Sequence, residues 1–201
     1  VILAAGDGTR MRSDLPKALH EVGGFPMLAH VMAAAETLSP ARMAVVVGRG
    51  GPQVADVARS LRPDAALVEQ VERLGHAARV ALPALKGFAG DVFILFADSP
   101  LIRPETLARM ARARAEGADV VVLGFEAADP TGYGRLLLDD GGDLARIVEH
   151  KEATEQERTV VFCNSGVMCS DADALARLLP RITDDNAKGE YYFTDLFEII
   201  R

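Results

Sequence analysis

Apolar and polar positions along the first 125 residues switch repeatedly between two periods. Val1 to Ala5 is an unbroken apolar run, the mark of a buried strand. Met27, Leu28, Val31, Met32, Ala35 and Leu38 then recur at helical spacing, which predicts a helix from about Pro26 with one apolar face. Arg42 to Val47 reads as the next strand, and Pro52 to Leu61 as the next helix, with proline at a favoured first-turn position. Ala65 to Val68 follows as a short strand, His76 to Leu85 as a helix, and Asp91 to Ala97 as a strong strand. Pro104 to Glu116 is predicted helical and closed by Gly117, and Asp119 to Phe125 is a further strand.

This rhythm predicts an α/β fold of Rossmann-like type, a mostly parallel sheet with helices on both faces. Such sheets bind ligands in the crevice beyond the carboxyl ends of their strands. After residue 130 the pattern changes. Gly134 to Leu138 and Leu144 to Glu149 flank Asp139-Asp140-Gly141-Gly142, a hairpin signal, and Val160 to Cys169 is another strand. The second half is therefore expected to be a partly antiparallel subdomain packed beside the first. No internal repeat or low-complexity segment interrupts the chain.

Composition narrows the functional classes. Of 201 residues, 49% are hydrophobic and 25% charged, the mix of a chain that buries a core. Lys and Arg number 22 against 29 Asp and Glu, a net charge of −7, so there is no basic footprint for nucleic acid or an anionic membrane. Runs such as Val92 to Ala97 and Val120 to Leu123 are far short of the roughly 20 residues of a membrane span. With no signal peptide, a cytoplasmic protein is expected. Cys163 and Cys169 do not form a disulfide framework, and the four histidines, His20, His30, His76 and His150, lack metal-ligand spacing. The chain starts without Met inside an apolar run and closes on Phe197-Glu198-Ile199-Ile200-Arg201 without a stop signal, so it reads as part of something longer.

Candidate chemistry begins where the first strand ends, in Leu3-Ala4-Ala5-Gly6-Asp7-Gly8-Thr9-Arg10-Met11. Small residues and glycines at a strand end let backbone N–H groups approach a phosphate, although turns need glycine as well. The segment is neither a dinucleotide fingerprint nor a P-loop. Arg10 lies in the loop, and Lys17 follows Pro16, which biases Leu15 to an extended conformation and lets Lys17 project back toward the loop. Taken singly, each cation is a solvated surface charge. Together with the loop, they can bracket a triphosphate. Asp98 ends the apolar run Val92 to Ala97, where a carboxylate can hold Mg²⁺ jointly with substrate phosphates. Its alternative, capping the helix near Pro104, places it rather far upstream.

The opening segment with Pro16-Lys17 resembles the signature of the sugar-phosphate nucleotidyltransferases. Further blocks occur in order: Gln70 with Leu74-Gly75 and His76-Ala77, Ala97-Asp98-Ser99-Pro100-Leu101, Pro130-Thr131-Gly132-Tyr133-Gly134-Arg135, Glu149-His150-Lys151, Asn164-Ser165-Gly166, and Asn186-Ala187-Lys188-Gly189-Glu190-Tyr191-Tyr192. Together they are similar to the N-terminal domain of the bacterial bifunctional N-acetylglucosamine-1-phosphate uridylyltransferase/glucosamine-1-phosphate acetyltransferase family. The opening signature is widely shared, whereas the later blocks in this order are much more specific.

The resemblance implies one nucleotidyltransferase domain over 1–201, truncated at both ends, with a nucleotide-binding half at 1–125 and a sugar-binding half at 126–201. The family's C-terminal β-helix acetyltransferase domain, which largely holds its homotrimer, is absent from this sequence, leaving a monomer or weak associator. Leu3, Ala4, Ala5, Gly6, Gln70 and Gly75 would hold the nucleotide, Arg10 and Lys17 the triphosphate, and Asp98 the Mg²⁺. Gly134, Glu149 and Asn164 would receive the sugar. The implied reaction joins UTP and N-acetylglucosamine 1-phosphate into UDP-N-acetylglucosamine and pyrophosphate, feeding peptidoglycan and lipopolysaccharide synthesis. The tyrosine pair at Tyr191-Tyr192 reads as packing, and with Asp195 is left outside the site. The chain departs from the family's pattern in three places. Gly75 meets His76 directly where the family has an intervening Thr-Gly, Phe96 stands where tyrosine is common, and the family's second metal ligand, an asparagine, would lie beyond Arg201. Two other readings remain: a transferase for another sugar 1-phosphate or nucleotide, and a non-catalytic module that binds sugar nucleotides.

Overall fold

A computed structural model of the chain describes residues 1–6, 11–48, 51–70 and 80–181. In chain order the strands are β1 (Ile2–Ala4), β2 (Glu21–Val22), β3 (Phe25–Pro26), β4 (Ala44–Val47), β5 (Ala66–Glu69), β6 (Asp91–Phe96), β7 (Val120–Glu126), β8 (Arg135–Leu138), β9 (Leu144–Val148) and β10 (Phe162–Asp171). The helices are α1 (Met27–Glu36), α2 (Pro52–Leu61), α3 (Pro104–Ala115), α4 (Glu155–Arg158) and α5 (Ala172–Leu178).

Eight strands form one sheet in the order β5-β4-β1-β6-β10-β8-β9, with β7 on β10. β1 is flanked by parallel β4 and parallel β6. The chain winds outward from β1 through β4 to β5, then returns to lay β6 on the opposite edge of β1. That reversal opens a crevice at the carboxyl ends of β1 and β6. From β6 onward the sheet is antiparallel: β10 pairs with β6, β7 and β8. The antiparallel strands of the second half thus continue the same sheet.

Side chains alternate across the strands and separate two cores. Ile2, Ala4, Val45, Val47 and Leu95 face one side, where Leu28, Val31 and Met32 of α1, Val54 and Ala58 of α2, and Leu107 and Met110 of α3 cover them. Val92, Ile94 and Met168 face the other, beneath Ala172, Leu175 and Leu178 of α5. The apolar stripe expected on the helix after Pro26 is the buried stripe of α1, and each large side chain in it contributes about 2 kcal/mol of burial.

Two local expectations change. The helix expected over His76 to Leu85 falls partly outside the described residues. Its described end is a 3-10 turn at Leu82–Leu85, where Pro83 has no N–H to continue an α-helical ladder. Lys17, expected to project from a segment that is not helical, starts a single 3-10 turn, Lys17–Leu19, directly after extended Pro16. Both cysteines are free and buried. Among the described residues, no helix is long and apolar enough to cross a membrane.

Candidate active site

Four strand ends meet along the crevice. Leu3 and Ala4 lie within the ladder, opposite Val46 and Val47 of β4, and the Leu3 carbonyl accepts from the Ala97 N–H at 3.0 Å. Their backbones are committed to the sheet, so the strand's free edge toward a ligand begins at Ala5 and Gly6. Around Gly6 there is open space, with nothing among the described residues within 4 Å of where a Cβ would stand. Next to it, Gly48 follows β4. A Cβ there would lie 2.6 Å from the Ala5 carbonyl oxygen, so only glycine lets the two strand ends lie this close. Gln70 follows β5 and is fixed by its N–H, which donates to the Val47 carbonyl at 2.8 Å.

Asp98 stands two residues beyond β6 and Lys17 reaches it: Nζ donates to Oδ2 at 2.5 Å. Both side chains are a little over one-third exposed, 39% for Lys17 and 36% for Asp98. Lys17 is pinned from behind, because Ala18 and Leu19 of its turn are buried in the core. Asp98 plays no capping role: α3 is preceded by Arg103, and no side chain caps its N-terminus. Cation and carboxylate therefore sit together at the crevice that the sheet order creates. Arg10, Gly75 and the segments around His76 and Asn186 to Tyr192 lie outside the described residues.

The three expected sugar contacts also converge. The Asn164 N–H donates to the Gly134 carbonyl at 2.8 Å. A Cβ on buried Gly134 would come 3.4 Å from Glu149 Oε1. Asn164 lies where the β10–β7 register shifts, and its Oδ1 accepts from the Gly166 N–H at 2.9 Å. Gly166, at φ +83°, packs so closely that a Cβ would be 2.7 Å from the Phe96 ring. Phe96 ends β6, so β10 carries the Asn164 turn back alongside the strand that leads into Asp98.

Sequence reasoning missed Gly48, whose signal was the glycine-rich stretch after β4, and Arg135, whose buried guanidinium donates to the Tyr133 carbonyl. As for metal chemistry, no group of three or more His, Cys, Asp or Glu side chains stands together among the described residues. A lone, partly exposed carboxylate still suits Mg²⁺, which commonly takes one or two carboxylates and completes its octahedron with water and substrate phosphates.

Comparisons with known proteins bear on the fold and the family. A bifunctional protein GlmU of Jannaschia sp. (strain CCS1) is 51% identical over 201 residues, covering 99% of this chain and 44% of its own length. That of Ruegeria pomeroyi is 52% identical over 203 residues, covering 100% of this chain and 45% of its own. The chain thus spans less than half the length of the curated relatives it matches. A crystal structure of UDP-glucose pyrophosphorylase complexed with UDP-glucose superposes with a TM-score of 0.80 over 99% of this chain and 84% of that one, at 20% identity, a likeness of fold. The apo form of such an enzyme gives 0.78. The model of the MobA-like NTP transferase domain matches residues 1–161, a span holding both the Lys17–Asp98 contact and the Gly134–Glu149 approach. By that match over most of its length, the chain belongs to the MobA-like NTP transferase domain family.

Proposed function

We propose that this chain transfers a uridylyl group from UTP to N-acetylglucosamine 1-phosphate, releasing pyrophosphate and UDP-N-acetylglucosamine. The observation that carries the reading is the Lys17–Asp98 contact at the β1/β6 crevice. It joins a cation suited to phosphate and a carboxylate suited to a hard metal ion beside the strand end that carries Gly6, where no described side chain intrudes. The half-identical GlmU relatives support it, as does the shared fold of a pyrophosphorylase that binds UDP-glucose.

The acceptor's phosphate is itself the nucleophile. Its second pKa is about 6, so it is largely dianionic at neutral pH and needs no general base. Catalysis then rests on positioning and charge neutralisation of an in-line displacement at the α-phosphorus. Lys17 exchanges its carboxylate partner for a phosphate oxygen and, with Arg10, stabilises the departing pyrophosphate. Asp98 would hold Mg²⁺, which supplies positive charge to the reacting phosphates. Ala5, Gly6 and Gly75 offer backbone to the nucleotide, with Leu3 and Ala4 holding that edge in register. Gln70 offers a carboxamide donor and acceptor to the pyrimidine edge. Gly134, Glu149 and Asn164 receive the acetamido sugar. In this reading residues 1–125 serve the nucleotide and 126–201 the sugar, in the cytoplasm, and the product feeds cell-wall polymer synthesis.

The test is pyrophosphate release from UTP and Mg²⁺ with N-acetylglucosamine 1-phosphate or glucose 1-phosphate, for the wild type and Asp98→Asn. Release should require the acetamido sugar and fall by about 100-fold or more in the variant. Equal release with glucose 1-phosphate would replace the sugar assignment, and an Asp98→Asn protein of near-normal activity would remove the metal role.

A further inference from the structure

We propose that Arg135 is a positioning residue for the sugar side of the site, its guanidinium tying together the segments that present Gly134 and Glu149. The proposal rests on the sugar-binding roles given above to those two residues. Arg135 opens β8, paired with Val148 of β9 and Cys163 of β10, and is only 1% exposed. Burying a guanidinium is costly unless its donors are used. Among the described residues no carboxylate pairs with it. Its donors go to neutral acceptors instead. Nη1 donates to the Tyr133 carbonyl, while Nη2 donates to His150 Nδ1 at 3.2 Å and to the Arg158 carbonyl at 3.4 Å. Nε has no partner among the described residues.

These acceptors frame the sugar contacts. Tyr133 immediately precedes Gly134, and His150 immediately follows Glu149. Arg158, the last residue of α4, returns a hydrogen bond from Nε to the His150 carbonyl at 3.3 Å. Gly134 and Glu149 are thus each one residue from an atom that Arg135 holds. A guanidinium has no acceptor, so His150 Nδ1 must accept and its ring proton lies on Nε2. The Tyr133 ring is fixed as well, meeting Phe125 edge to face at 5.0 Å, which anchors this loop to β7. An apolar side chain of similar size would fill the space without the desolvation cost, but it could not fix three separate backbone segments in one register.

In the full chain, Arg135→Lys keeps the charge and loses the fork. It should raise KM for N-acetylglucosamine 1-phosphate about 10-fold or more while KM for UTP stays near the wild-type value. His150→Asn, which sets Oδ1 where Nδ1 stood, should stay near wild type, whereas His150→Phe should follow Arg135→Lys. Should Arg135→Lys not fold, the His150 pair decides the matter alone. Three results would overturn the proposal in variants that melt like the wild type: equal rises in both KM values, a loss confined to kcat, or His150→Asn as impaired as His150→Phe. A wild type inactive with N-acetylglucosamine 1-phosphate would instead overturn the proposed function, and with it the sugar site that Arg135 serves.

Discussion

At Cys169, on β10, burial pushes the thiol from its ordinary 9.0 up to about 12, with the Asp91 carboxylate adding to the effect. Ionisation is favoured earlier in the unfolded chain, so this residue's contribution to stability is intact below pH 9 and is lost as pH climbs from 9 toward 12. Iodoacetamide at about pH 8.5, a little below that ordinary value, should therefore leave Cys169 unlabelled in the folded protein and label it in urea; labelling at equal rates in both would contradict the burial. Asp98 and Lys17 could be read from the sequence because a charged residue ending an apolar strand, or following an X-Pro break, has a place in the fold before any coordinates exist. Gly48 and Arg135 could not. One is dictated by the Ala5 carbonyl oxygen across the sheet, the other by acceptors 2, 15 and 23 positions away in sequence.

Elements with a long apolar period were legible to within a residue or two, and α2 spans the predicted Pro52 to Leu61. Short ones were not. The four residues of α4 carry no periodicity; they fold because Thr154 and Glu157 form a reciprocal capping box. The β2–β3 ribbon has two residues per strand and was equally silent. Where β7 meets β10, Gly124 faces Asn164, and a Cβ there would come within 2.4 Å of the Phe162 ring and 2.5 Å of Leu136. Gly124→Ala should cost about 1–3 kcal/mol by overpacking, measured as a lower urea midpoint; an unchanged midpoint would show that the Phe162 ring yields freely.

At the scale of the molecule, the alternation of strand and helix gave the α/β class, and the hairpin signal gave the antiparallel second half. What it could not give was the pairing of β10 with β6, since a strand's edge partner leaves no trace in its own period. That pairing joins both halves in one hydrogen-bonded sheet over two shared cores. The 201-residue chain should accordingly melt in one transition, with calorimetric and van't Hoff enthalpies equal. Two resolved transitions would mean that the halves fold separately.

The path of β10 has a mechanical consequence. One continuous strand runs from the asparagine assigned to the sugar to Asp171, which caps α5, and along the way it is bonded to the strand leading into Asp98. Two lobes stitched by a common strand cannot swing apart about a hinge without tearing ladder bonds. Any movement that admits substrates must then leave this ladder intact. An inhibitor built to wedge the two halves apart would have to break that ladder first.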